Sequence, residues 1–99
     1  MRTIVWSNDA LDVLDAVLRY VAQDNPRAAS ALVDRIDEAA SGLSSFPTGR
    51  QGRVAKTYEK VVQRTPYILA YAMSDDRITI LRVIHGRREW PEGDWPAEA

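Results

Sequence analysis

Ninety-nine residues at 45% hydrophobic and 27% charged content describe one small globular domain, too short for two cores and too apolar for a disordered chain. The absence of cysteine excludes disulfides and thiolate chemistry and fits a reducing cytoplasm, and a single histidine argues against a protein-only metal site. The net charge of −1 hides a division: residues 1–46 carry four arginines against seven acids, residues 47–90 carry nine basic groups against four acids, and residues 91–99 carry three acids. The basic half is suited to an anionic partner, nucleic acid or acidic protein, or it is a set of solvated strand edges.

Arg2 to Trp6 is a short β-branched run, expected to form a first strand. Ser7, Asn8 and Asp9 then offer side-chain oxygens to a helix start, and Leu11, Leu14, Leu18 and Val21 follow at helical spacing. Asp12, Asp15, Arg19 and Gln23 fill the opposite, polar face. Asn25-Pro26 closes this helix and opens another, because proline in the first turn lacks only a donor that would be unpaired anyway. The second helix is expected to reach about Leu43, with a buried stripe of Leu32, Ile36, Ala39, Leu43 and Phe46. So short a connection makes the two an antiparallel hairpin.

Beyond Ser44 to Gly49 the apolar period falls to two. Arg53 to Val62, Tyr67 to Met73 and Ile78 to His85 read as three strands, the last two as a hairpin about Ser74-Asp75-Asp76. The expectation is a single α+β domain over residues 1–99: an N-terminal strand, an antiparallel helical hairpin, then a three-stranded antiparallel meander, with the helices on one sheet face and the other free. Residues 86–99 hold two prolines and no apolar period, which predicts an irregular tail. The longest uncharged runs, residues 39–49 and 65–74, are about half the roughly 20 residues of a spanning helix, so neither a membrane span nor a secretory leader is expected.

Gly49-Arg50-Gln51-Gly52-Arg53 leaves a helix and enters a strand, the reverse of a phosphate loop, and reads as a basic, hairpin-like lead-in. The serines at 7, 30, 41, 44, 45 and 74 all fall at caps, helix surfaces or turns, so no nucleophilic triad assembles around His85. His85-Gly86-Arg87-Arg88-Glu89-Trp90 gathers a titratable ring, two guanidinium forks and an indole behind the last strand, the residue types of an anion-binding or protein-binding hot spot. Trp90-Pro91 reads equally as a clamp of the tail over the core. Strict alternation puts Arg82 on one face with Ile78, Ile80 and Ile84, where it needs an acidic partner at the sheet rim or exposure on the helix-free face; pairing is the favoured expectation.

The order of elements, together with Gly49-Arg50-x-Gly52-Arg53-Val54, Thr65-Pro66-Tyr67-Ile68-Leu69-x-Tyr71 and Ile80-Leu81-Arg82-Val83-Ile84-His85-Gly86-Arg87-Arg88-x-Trp90-Pro91, resembles the RelE/ParE superfamily of bacterial type II toxins. The resemblance implies a cytoplasmic toxin, of the kind that stabilises plasmids, neutralised by a cognate antitoxin of ribbon-helix-helix type, with operator DNA bound only through the antitoxin. RelE-like members are ribosome-dependent mRNA endoribonucleases, whereas ParE-like members cleave nothing and poison DNA gyrase. In the ribonucleases the strand matching Tyr67 to Tyr71 carries an arginine for the scissile phosphate where this chain has Ile68. The expectation is therefore a ParE-like gyrase inhibitor with no catalytic residue, metal or cofactor, and with Arg82, His85, Arg87, Arg88 and Trp90 at the target surface. The alternative is an mRNA ribonuclease working with Arg53, Lys56, Arg82, His85 and Arg87.

Overall fold

The computed structural model describes residues 1–52 and 55–86. Strand β1 (Thr3–Trp6) leads into helices α1 (Asn8–Asp24) and α2 (Pro26–Ser45), followed by β2 (Arg50–Gln51), β3 (Tyr58–Val61), β4 (Tyr67–Met73) and β5 (Arg77–His85). The five strands form one sheet in the order β1-β5-β4-β3-β2. Its pairings are antiparallel except that of β1, which runs parallel to β5 from Thr3↔Arg77 to Trp6↔Ile80. The α+β expectation holds, with a mixed sheet extending the expected meander.

Capping fixes the helix ends where the sequence signals them. The Ser7 hydroxyl accepts from the Ala10 amide at 3.0 Å and also donates to the Leu81 carbonyl at 3.0 Å, which ties the start of α1 to β5. Asn25 ends one helix through its amide, which donates to the Val21 carbonyl, and starts the next through its side chain, which accepts from Ala28 at 3.1 Å. The buried face of α2 is Ala29, Leu32, Ile36, Ala40 and Leu43. Leu32, Ile36, Ala40 and Leu43, together with Ala10, form one core with Leu69, Tyr71, Ile78, Ile80 and Val83 of the sheet.

Three expectations need correction. Phe46 does not continue the α2 stripe: it is the C-cap, at φ −134° and ψ 97°, so the helical rotation stops before it and its ring is 74% exposed. Leu11 is also exposed, while the rest of its expected stripe, Leu14, Leu18 and Val21, packs on the core with Ala10, Val13 and Val17. The expected strand from Arg53 begins only at Tyr58, while Arg50 and Gln51 of the lead-in form β2 and pair with Glu59 and Tyr58; Arg53 and Val54 lie outside the described residues.

The face away from the helices is not bare, since Ile68, Ala70 and Ile84 are buried there as a second apolar cluster. A β-bulge changes which side chains reach it. Ala70 opposes Arg82 and Tyr71 opposes Ile80, which leaves Leu81 as an extra residue on β5. Ile78, Ile80 and Val83 therefore share the helix-covered face, and Arg82 joins Ile84 on the other, apart from the Ile78 and Ile80 with which strict alternation had grouped it.

Candidate functional site

The C-terminal end of β5 is built against the turn between β3 and β4. That turn closes through the Thr65 amide, which donates to the Val62 carbonyl at 3.2 Å. The Thr65 hydroxyl donates to the Val62 carbonyl at 2.9 Å and accepts from the Tyr67 amide at 3.0 Å, so one side chain satisfies both arms of the turn. Arg64 sits at φ 65°, a left-handed backbone that glycine or asparagine adopts more readily, and the turn thereby presents a guanidinium at its tip. Gly86 crosses beneath: its amide donates to the Pro66 carbonyl at 2.7 Å, and a Cβ there would come within 3.3 Å of both that oxygen and the Ile68 side chain.

His85 lies opposite Tyr67, and the two rings meet edge to face with centroids 5.5 Å apart. Arg64, Thr65, Pro66, Tyr67, His85 and Gly86 line an open cleft of about 710 Å³ at this end of the sheet. Two basic side chains beside an aromatic ring and an apolar floor suit an acidic or aromatic surface better than a small neutral ligand. Arg64 was not singled out from the sequence; its signal was a basic residue directly before the Thr-Pro turn.

Arg82 is not part of this cleft. It pairs with Asp9 at the start of α1 at 3.8 Å, its side chain only 17% exposed, so the expected ion pair exists. Three residues later and past the bulge, His85 emerges on the opposite face. Sequence proximity grouped these two residues, and the sheet separates them. Arg82 instead belongs to a cross-strand row formed by Arg50, Glu59, Ala70 and Arg82. Glu59 is 2% exposed and lies 3.6 Å from the Arg50 guanidinium, so a buried carboxylate is held beside a cation in a sheet whose central strand gives it a small neighbour, Ala70. Arg87, Arg88 and Trp90, the remaining members of the expected target surface, lie outside the described residues.

Of the residues expected to serve a ribonuclease, Arg53 and Arg87 lie outside the described residues, and the described Lys56 and His85 stand apart. Lys56 occupies the turn before β3, at φ 64°, whereas His85 sits at the far end of β5. Four ladder rows separate the level of Tyr58 from that of His85, about 13 Å at the usual rise per residue, and Lys56 lies beyond the first of them. The Lys60 ammonium donates to the Thr48 hydroxyl at 2.7 Å on the helix side. Ile68 is 8% exposed within the second apolar cluster, a position that gives its place on β4 a packing role. Among the described residues no group of three histidine, cysteine or carboxylate side chains is placed to hold a metal ion, and no helix is long and apolar enough to cross a membrane.

Residues 4–90 match the family model described as the ParE toxin of the type II toxin-antitoxin system parDE. The toxin-designated protein Y4kP of Sinorhizobium fredii is 39% identical over 92 residues, spanning 92% of this chain and 95% of its own. Toxin RelE2 of Caulobacter vibrioides is 34% identical over 89 residues, 89% of this chain and 99% of its own. A solved chain from the chromosomal ParDE TA system of P. aeruginosa superposes with a TM-score of 0.79 over 86% of this chain and 96% of its own; at 24% identity that is a likeness of fold.

Proposed function

The chain belongs to the ParE toxin family of type II toxin-antitoxin systems, and from that premise we propose that it arrests growth in the cytoplasm by binding DNA gyrase, cleaves no nucleic acid, and is held inactive by a cognate antitoxin of ribbon-helix-helix type. The observation that carries the non-enzymatic reading is Ile68. A buried isoleucine stands where a ribonuclease of the superfamily places the arginine that stabilises charge on the scissile phosphate. The distance between Lys56 and His85 supports the same reading, because acid and base must both reach one ribose-phosphate unit.

For the target surface we propose the His85 end of the sheet, with Arg64 and His85 in its cleft and Arg87, Arg88 and Trp90 continuing the chain from it. Arg82, paired with Asp9, projects from the other face of β5 and is left outside the proposed surface. The relative named RelE2 favours the second reading, a ribosome-dependent mRNA endoribonuclease. Primer extension on transcripts after induced expression separates the two. Transcripts are expected to stay intact while DNA replication stops first; prompt cuts at codon positions would establish the ribonuclease.

A further inference from the structure

The turn between β3 and β4 carries a residue that its backbone does not favour. The Thr65 amide closes on the Val62 carbonyl, which makes Gln63 and Arg64 the two central residues of a β-turn. Of these only Arg64 has a positive φ, 65°. That is the pattern of a type II turn, whose third position goes to glycine or asparagine because a larger side chain is strained there. Arginine weakens such a turn, and nothing in the described chain compensates: Arg64 is exposed, and no carboxylate lies at ion-pair distance from it among the described residues.

The surroundings hold the strain in place. The Thr65 hydroxyl bridges both arms of the turn, and the Gly86 amide, donating to the Pro66 carbonyl, ties the turn to the end of β5. Backbone held in this way is found chiefly where a side chain must be presented to a ligand. The guanidinium therefore stands on a rigid stem, and binding through it orders little further backbone.

The cleft beside it selects the partner. No acid is among the residues that line it, and Arg64 and His85 are its two basic members. The remaining wall is mostly apolar, with half-exposed Val61 opposite Ile68 and the Tyr67 ring against His85. Nucleic acid calls for a row of cations along its backbone, since affinity grows with the number of phosphates neutralised, and two basic groups in an apolar wall are not such a row. A planar guanidinium instead matches one carboxylate through two parallel N–H bonds.

We propose that Arg64 is the specificity-determining anchor of the target surface: it grips one carboxylate of the target protein at the mouth of the cleft, while an apolar side chain next to that carboxylate seats on the cleft's apolar wall. The assignment rests on the reading above that this end of the sheet meets gyrase, and it adds the residue and the chemistry of the contact.

The test measures binding of the full chain to purified gyrase by calorimetry. Arg64→Gly gives the turn its preferred residue, so its melting temperature is expected to hold or rise while affinity falls about 30-fold. Arg64→Lys keeps the charge without the fork and should weaken binding about tenfold. Added salt should weaken the wild-type complex more than that of Arg64→Gly. A fluorescent single-stranded oligonucleotide is the second probe, expected to bind wild type and Arg64→Gly equally weakly. Wild-type affinity for gyrase in Arg64→Gly, or oligonucleotide binding that this variant abolishes, would overturn the anchor and leave the gyrase reading standing. A melting temperature lowered by more than about 4 °C would also overturn it, by giving Arg64 a role in the fold. If the wild-type chain itself fails to bind gyrase, both fall together.

Discussion

Replacing Tyr71 by phenylalanine tests how the segment after α2 is held. Tyr71 is 1% exposed and stacks on Tyr58 with ring centroids 5.5 Å apart. Its hydroxyl donates to the Thr48 carbonyl at 2.8 Å, with the Pro47 carbonyl at 3.4 Å. Phenylalanine keeps the ring and its packing, so the loss reduces to one neutral hydrogen bond, about 1 kcal/mol. For a domain of this size that lowers the melting temperature by about 4–8 °C at neutral pH. Burial, reinforced by the neighbouring Tyr58 phenol, pushes the Tyr71 phenol above its ordinary value of 10.0. The folded chain then holds this proton more tightly than the unfolded chain, so the contribution is complete below pH 10 and is lost as pH rises through the raised value. Calorimetric melting of both proteins from pH 7 to pH 11 should show a gap that narrows only in the alkaline range. Equal melting temperatures at neutral pH, or a gap that widens with alkalinity, would refute the role given to this hydroxyl.

Other perturbations probe the remaining elements. Gly49→Ala places a Cβ 2.5 Å from the Glu59 carbonyl oxygen at a φ of 123° and should lower the urea midpoint by the equivalent of about 2 kcal/mol or more; an unchanged midpoint would contradict the geometry. Asn25→Ala removes the cap on the Ala28 amide and should cost about 1 kcal/mol by chemical denaturation. Ile68→Arg puts a charge into the cluster with Ala70 and Ile84; it should destabilise by about 3 kcal/mol and still cut no mRNA, so a stable, cleaving variant would defeat the argument from this position. The Arg87→Ala/Arg88→Ala double variant should keep its melting temperature and antitoxin binding while growth arrest disappears, and full toxicity would move the target contact elsewhere.

The helices were legible because their signals are local: Ser7 and the Asn25-Pro26 pair act on amides within three residues, and helical spacing declares itself over a few turns. What escaped depends on distant neighbours. No local pattern marks Thr3–Trp6 as the parallel partner of β5, more than seventy residues away, or Arg50–Gln51 as a two-residue strand. The bulge was hidden because Ile80 and Leu81 are both apolar, so an extra residue there leaves no polar signature, yet it reverses the face of everything after it. Arg82 and His85 lie close in sequence, but both follow the bulge in regular register, and their separation of three residues projects them from opposite faces. Residues whose importance comes from distant neighbours, such as Glu59 beside Arg50 or Arg64 in the cleft that His85 also lines, carried only a general signal of charge.

The central claim, a toxin that acts on gyrase and not on RNA, is tested most directly by DNA supercoiling with purified gyrase, with the toxin added alone and then with its antitoxin. The expected result is loss of supercoiling with the toxin, restoration on adding antitoxin, and no effect from the Arg87→Ala/Arg88→Ala variant. Undiminished supercoiling at saturating toxin, alongside mRNA cut on ribosomes by the same preparation, would contradict the account.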